Sequence, residues 1–502
     1  MELHIDRGSS VPIYRQIVRE IRGLILSGTL PPGFRLPPER RLARALGVNR
    51  TTVITAYREL KAEDLLDARV GRGTEVATRP PAPVAAAEAT SFPWRQLLRD
   101  EGGAARDPLL RDLLAVPERR DVLSLAVGLP APELLPLAAV ARAQAELLVE
   151  KGAELFLHSP TEGVTAFRER LAALLPARGI RCGAAELLVT SGSQQGLDLA
   201  ARLFLSPGDT VVVDEPCFFG ALQVFRAAQA RVVGVPADRD GMRTDLLEGM
   251  LARHRPKLIY TLPTFQNPSG SLMPLQRRQQ LLEVAARAQV PVLEDDPYFE
   301  LRYEGEAVPS LKALDRHDQV LYLSSFSKVL FPGLRIGFFV APRVVCRQLA
   351  LLKQAMDLHS NTHGQWLLER LLASAAYEEH VARVRVAYAR RRDRMDEALR
   401  EHAPAWVRWF VPSGGFYIWC TLDREVSPHR LAARAAELGV SYLPGAACYA
   451  GEPPEPTLRL NFTYLEEDRI GEAVARLMAA LEGAAREGAG DQGPRTATPP
   501  IV

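Results

Sequence analysis

Residues 320–340 read VLYLSSFSKVLFPGLRIGFFV. Two apolar runs, VLYL and IGFFV, flank a loop that holds Lys328 among Ser324, Ser325 and Ser327 and closes on Pro332, Gly333 and Arg335. Neither run alternates apolar with polar residues, so each reads as a strand buried on both faces of a sheet. Lys328 is then either a surface lysine in an ordinary loop or a nucleophile above a buried site. The stretch alone leaves both readings open, and the rest of the chain decides between them.

The same pattern recurs in ELLVT (186–190), DTVVVDEP (209–216), KLIYTLP (257–263) and VPVLEDD (290–296), with longer helical stretches between them. Strands alternating with helices over about 112–484 predict an α/β fold around a mostly parallel sheet. Ligands bind such sheets beyond the carboxyl ends of the strands, so the residues after each run matter most. After ELLVT, SGSQQGLD (191–198) turns small residues and glycines into a helix start, a cradle for an anion. By itself such a turn is common. After DTVVVDEP come Cys217, Phe218 and Phe219, aromatic cover for a planar ring or ordinary core. After KLIYTLP, Asn267 lies in TFQNPSG, where Asn-Pro is most often only turn chemistry. Glu294, Asp295, Asp296 and Tyr298 follow VPVL. Three acids at a buried strand end require partners, at least one of them cationic.

Together these loops supply a phosphate cradle with an arginine, a stacking aromatic, an amide, a carboxylate, a phenol and a lysine. One ligand uses all of them: pyridoxal 5′-phosphate. A lysine bonds its carbonyl carbon, a carboxylate keeps the pyridine nitrogen protonated, and an arginine with helix N–H groups holds the phosphate.

At this point the segment resembles the class I/II aminotransferases of fold type I. The resemblance is carried by GLPAPELLP (128–136), SGSQQGLD, DEPCFFG (214–220), QNPSG (266–270), EDDPY (294–298), SSFSKVLFPGLRIG (324–337) and LRLNF (458–462). It implies a mostly parallel central sheet with a small C-terminal α+β subdomain. It makes Lys328 the cofactor lysine, Asp295 the pyridine-nitrogen partner, and Asn267 and Tyr298 the ring-hydroxyl contacts. Phe218 stacks on the ring, and Gly192, Ser193, Gln194, Ser325 and Arg335 bind phosphate. Lys328, Asp295 and Tyr298 are the expected catalytic set, and Gly128 and Arg459 the substrate contacts. In TLRLNFTY (457–464), Arg459 falls on the strand face opposite Leu458, Leu460 and Phe462. The resemblance makes it a clamp for a carboxylate, whereas the plainer reading is a solvated edge arginine. Two positions depart from the family pattern. Phe218 stands where a tyrosine is usual, and His158 in LFLHSPTEG stands where a tyrosine reaches the partner subunit's phosphate.

The N-terminal segment differs in character. Residues 1–78 carry 13 Lys and Arg against 9 Asp and Glu, whereas the remainder carries 49 against 51. A basic head on a slightly acidic body points the head at a polyanion. Ile13, Ile17, Ile21, Leu24 and Ile25 recur at helical spacing. Leu42, Ala43 and Leu46 then form a short apolar face, Gly47 makes a turn, Asn49 caps, and Val53, Ala56, Tyr57 and Leu60 line the next helix. RVGRGTEVA (69–77) suits a hairpin wing. LPPERRLARALGVNRTTVITAYREL (36–60) and GRGTEV (71–76) resemble the GntR-type winged helix-turn-helix, with Pro38 where the family usually has serine. The resemblance makes Arg40, Arg50, Thr51, Thr52 and Gly71 DNA contacts, and Arg72 in the wing is placed to grip the backbone.

The 502 residues therefore divide into a winged-helix head (10–78), a Pro- and Ala-rich linker (79–111), an aminotransferase-like body (112–484) and a disordered Gly/Pro/polar tail (485–502). This layout resembles MocR-type transcriptional regulators. It implies a homodimer that binds double-stranded DNA and responds to a small amine, an amino acid or the cofactor itself. The alternative is a working aminotransferase with an accessory head. Five scattered cysteines without a CxxC pair argue against a zinc site and a disulfide framework. No metal site is expected. The apolar runs are too short to span a bilayer, and the N-terminus MELHIDRG has no signal-peptide core, so a cytoplasmic protein without membrane contact is expected.

Overall fold

The computed structural model describes residues 3, 5, 12–26, 29–31, 33–62, 65–69, 73–77 and 122–488. The chain divides into two compact units. Gly71, Arg72, the linker 79–111 and residues 489–502 lie outside the described residues.

The head is built on three helices, α1 (Ile13–Leu26), α2 (Glu39–Leu46) and α3 (Arg50–Ala62), and a hairpin, β1 (Leu66–Arg69) with β2 (Gly73–Val76). The apolar spacing read in the sequence is what packs: Ile17, Ile21, Leu42, Val53, Tyr57 and Leu60 are all buried in one cluster with Leu66 and Val76. Gly47 closes α2 at φ 62°, a left-handed conformation that glycine adopts without a Cβ penalty. The side-chain carbonyl oxygen of Asn49 accepts from the Thr51 N–H at 3.1 Å, which caps α3. Pro38 precedes α2 and supplies no side-chain cap. The wing is antiparallel, from Leu66 opposite Val76 to Arg69 opposite Gly73.

The body holds an eight-stranded sheet in the order β4-β11-β10-β9-β8-β5-β6-β7. Its strands are β4 (Leu187–Thr190), β5 (Thr210–Glu215), β6 (Arg231–Asp238), β7 (Gly241–Met242), β8 (Leu258–Thr261), β9 (Val292–Asp295), β10 (Val320–Ser325) and β11 (Gly337–Val340). Neighbours from β10 to β6 run parallel, while β11 is antiparallel to both β10 and β4, and β7 is antiparallel to β6. All six apolar runs became strands, and β4, β8, β9, β10 and β11 are buried along their whole length. The sequence reading did not include β6. Its residues are mostly half-exposed, so it lacks the continuous apolar run of the central strands.

A second, antiparallel sheet, in the order β12-β13-β16-β15, joins Val407–Trp409, Tyr417–Leu422, Thr457–Asn461 and Leu443–Pro444. Beside it β3 (Leu123–Ser124) pairs in parallel with β14 (Val440–Ser441). The Leu125 carbonyl also accepts from the Asn461 N–H. These pairings bring Ala126–Leu129, early in the chain, against the strand that carries Arg459.

The last helix runs Glu467–Gly488. This corrects the tail expected from residue 485: Ala484 and Ala485 are buried, so the amphipathic helix continues while it still has core to cover. No helix among the described residues is long and apolar enough to cross a membrane.

Candidate functional site

Strands β5, β8, β9 and β10 are successive neighbours, and β11 brings β4 alongside. Their carboxyl ends therefore open onto one region, with residues 126–129 and 459 arriving from the second sheet. There a cavity of about 300 Å³ is lined by Gly128, Ser193, Phe218, Asn267, Tyr298, Ser325, Lys328 and Arg459, among others. Lys328 thus belongs to a site and not to an ordinary surface loop.

The Lys328 amine donates to the Gly128 carbonyl at 2.6 Å. Burial lowers its pKa, and the charges of Arg459 and Arg335 lower it further against the opposing effects of Tyr417 and Asp295. A lysine with a lowered pKa is the one able to act as a nucleophile.

The three acids at the end of β9, Glu294, Asp295 and the following Asp296, separate by alternation. Glu294 accepts from the N–H groups of Leu311 and Lys312, both at 2.8 Å, at the start of the short helix Leu311–Leu314. Asp296 accepts from Tyr322 at 3.0 Å through Oδ2, its Oδ1 is also buried without a hydrogen-bond partner, and burial raises its pKa against the opposing charges of Arg178 and Arg278. Asp295 faces the other way. It accepts from the Tyr260 hydroxyl at 3.0 Å through Oδ2, while Oδ1 is buried with no hydrogen-bond partner. Burial pushes its carboxyl up to about 7. An orphaned buried carboxylate oxygen is costly unless a cation comes to it, and a protonated pyridine nitrogen is such a cation.

The anion cradle is shaped by two glycines. Gly192, at φ 79°, is the N-cap of the helix Ser193–Phe204 and has no side-chain cap. A Cβ on Gly192 would lie 2.5 Å from Arg335 Nη2, and one on Gly337 would lie 2.9 Å from the Ser193 nitrogen. Arg335 donates to the Ser191 carbonyl at 3.2 Å. Ser325 donates to Ser327 and to the Ile336 carbonyl, which fixes the loop before Lys328. The Gln194 amide is turned to the Gly220 carbonyl at 3.1 Å, so this side chain braces the next loop. Phe218 also fills the space that a Cβ on Gly220 would need. The donor set, the orphaned oxygen and the glycine cradle fit pyridoxal 5′-phosphate.

Arg459 is 2% exposed, which rules out a solvated edge arginine. It donates to Asn267 Oδ1 at 2.9 Å and to the Ala126 carbonyl at 2.8 Å, and its Nε is buried without a partner. His158 lies at the surface. With His359 Nδ1 bound to the Ser360 carbonyl at 2.9 Å, His359 Nε2 accepts from His158 Nδ1 at 2.7 Å.

Three residues escaped the sequence reading. Tyr260 orients Asp295. Asp214, pushed up to about 7 by burial, accepts from Thr261 and the Leu262 N–H, tying β5 to β8. Tyr417 enters the cavity and accepts from Tyr298 at 3.4 Å. Tyr260 and Asp214 lie inside apolar runs and read as strand filler. Tyr417 lies in FYIW (416–419), an apolar run of the second sheet with no flanking motif to single it out.

On the head, Arg40, Arg50 and Thr51 are exposed and Thr52 is half-buried. They occupy the starts of α2 and α3, so the first turns of both helices present donors to solvent.

Residues 120–477 match the family described as aminotransferase class I and II, and residues 13–76 match the bacterial regulatory proteins of the gntR family. Aromatic-amino-acid aminotransferase 1 of Thermococcus litoralis is 38% identical over 401 residues, covering 79% of this chain and 96% of that protein. The probable rhizopine catabolism regulatory protein MocR of Rhizobium meliloti is 30% identical over 481 residues, covering 95% of this chain and 96% of that one. Among solved structures, LysN, the α-aminoadipate aminotransferase of Thermus thermophilus, complexed with N-(5′-phosphopyridoxyl)-L-leucine, aligns with a TM-score of 0.74 at 38% identity. That alignment covers 79% of this chain and 100% of that one.

Proposed function

The chain belongs to the aminotransferase class I and II family and carries a gntR-family head in the architecture of MocR-type regulators, and from that premise we propose that its body senses a small amine or amino acid and passes the result to DNA. The observation that carries this reading is a DNA-binding head on a body that keeps Lys328, Asp295 and Arg459 around one cavity.

Bound at Lys328, pyridoxal 5′-phosphate supplies a carbon that an amine can take over from the lysine and a ring that draws in electrons. The rest is the work of the chain. Arg335, Ser325 and the helix start at Gly192, Ser193 and Gln194 hold the phosphate. Asp295 holds a proton at the ring nitrogen, Asn267 and Tyr298 engage the ring hydroxyl, and Phe218 packs on the ring. Arg459 takes the ligand carboxylate in a bidentate grip, with Gly128 leaving room for the ligand. Arg40, Arg50, Thr51, Thr52, Gly71 and Arg72 meet the DNA.

We assign the head to 10–78, the linker to 79–111 and the body to 112–488. A second copy of this chain covers the surface around Val149, Phe156 and Leu157, large apolar side chains 90%, 66% and 62% exposed beside His158. In that homodimer His158 reaches the partner subunit's phosphate, and two heads meet two half-sites. The gntR-family head supports a cytoplasmic location, where DNA is within its reach.

The test is binding of the full chain to its own upstream DNA at fixed salt, with and without pyridoxal 5′-phosphate and then with an amine panel. Specific binding that shifts with the amine is expected. Lys328→Ala should keep DNA binding and lose both the amine response and the absorption band of the lysine-bound cofactor. An unchanged response in Lys328→Ala overturns the site. The second reading, a working aminotransferase, draws on the 38% identity to an aminotransferase over 401 residues. Sustained turnover with an oxo-acid acceptor, without operator binding, would favour it.

A further inference from the structure

Burial pushes the phenols of Tyr260, Tyr298, Tyr303 and Tyr322 well above the ordinary range. Tyr417 is just as deeply set, and burial raises it too, yet its phenol ends below the ordinary value. The cause is the company it keeps. Arg459 lies over its ring, 4.1 Å from guanidinium carbon to centroid. The positive charge of Arg459 favours a negative oxygen, that of Lys328 adds to it while its amine is free, and the Tyr298 hydroxyl donates to the oxygen at 3.4 Å. Cys448, on the turn Gly445–Cys448, works in the opposite direction.

The placement of the oxygen is as telling as the direction of its shift. A Cβ on Gly128 would lie 2.3 Å from the Tyr417 oxygen and 3.7 Å from the Lys328 amine nitrogen. Phenol and amine thus border one point in the cavity, and glycine at 128 is what lets the phenol occupy it. Tyr298 and Tyr417 divide their roles: Tyr298 keeps its proton and donates, and Tyr417 accepts. A pair of titratable groups pushed apart by their surroundings marks an acid and a base.

An amine approaching at neutral pH carries an ammonium group without a lone pair, and it must lose a proton before it can take the place of Lys328 on the cofactor. Resting on the reading of the body as an amine sensor, we propose that the Tyr417 oxygen is the base that removes this proton. An N–H bond of the ammonium breaks and leaves its electron pair on nitrogen, an O–H bond forms on Tyr417, and no oxidant or reductant is involved. Tyr417 is then the residue that lets the site respond at neutral pH.

Tyr417→Phe keeps the ring beneath Arg459 and removes only the oxygen. The full chain loaded with cofactor is mixed with methylamine, which arrives protonated, or with aminooxyacetate, whose amino group is already unprotonated at neutral pH. The absorption change of the lysine-bound cofactor is followed from neutral to alkaline pH. In Tyr417→Phe the methylamine reaction should slow by roughly 100-fold at neutral pH and recover as the pH rises, while aminooxyacetate reacts at the wild-type rate. Equal losses with both probes would mean a merely structural role and overturn the proposal, as would an unchanged pH profile with methylamine. If the wild-type protein reacts with neither probe, the amine-sensor reading fails and this inference falls with it.

Discussion

Replacing Asp295 with Asn tests the site through stability and cofactor affinity together. Asp295 is 2% exposed, and burial raises its pKa from 3.8 to about 7. The unfolded chain ionises this group at its ordinary value, so between those two values the native state holds the extra proton. Stability without cofactor therefore falls as pH rises through that window and stays low above it. One pKa unit is about 1.4 kcal/mol, so the full penalty of ionised Asp295 is about 4 kcal/mol. Asn carries no charge and keeps an oxygen for Tyr260. It also turns an amide toward the place where Oδ1 has no partner, at a cost of about 1–3 kcal/mol. Stripped of cofactor, Asp295→Asn should thus be more stable than wild type at pH 8 by about 1–3 kcal/mol, with most of that advantage gone at pH 5. With cofactor the order reverses. The variant loses a charge-assisted hydrogen bond to the ring nitrogen, so cofactor affinity should drop about 10- to 150-fold. Thermal midpoints of the stripped protein at the two pH values, and a cofactor titration at the higher one, read both effects. A stability difference that is flat with pH, or an unchanged cofactor affinity, would refute the assignment.

Gly192→Ala should weaken cofactor binding by about 10-fold or more, since the new Cβ meets Arg335 at 2.5 Å and alanine is strained at φ 79° by about 1–2 kcal/mol; a titration matching wild type would remove the cradle. Arg50→Ala should weaken specific DNA binding by about 1–3 kcal/mol if it reads a base, or lower the salt slope by about one if it holds a phosphate. A salt series of binding isotherms separates the two, cofactor affinity should be unchanged, and equal operator binding at every salt concentration would take Arg50 off the DNA surface.

The fold was legible because the strands of a parallel sheet are buried on both faces. ELLVT, KLIYT and VLYLSS could be recognised from composition alone, with no knowledge of their order in the sheet. The helix-turn-helix was equally local: Gly47 and Asn49 act on neighbouring backbone groups, and short-range spacing predicts what they do. Strand β6 was not legible, because a half-exposed strand near a sheet edge has no continuous apolar signature. The end of the last helix was misplaced for a related reason: Ala484 and Ala485 are helical because core packs against them, and alanine by itself does not announce that.

Residue order was enough to single out the candidates: Lys328, three acids and a glycine-rich turn, each after a recognisable strand, and Arg459 within a later one. Which members of that set act follows from the packing. Three consecutive acids look alike in a sequence, but alternation about β9 turns Glu294 and Asp296 toward the charge of Arg278, joined at Asp296 by Arg178, and turns Asp295 toward Tyr260 and the charge of Lys328. Tyr417 and Gly128 are 289 positions apart in the chain. Only the pairing of β3 with β14, and of β13 with β16, brings them together beside Lys328. The reaction of a group depends on the charges and dielectric around it, and those come from residues that the chain order keeps far apart.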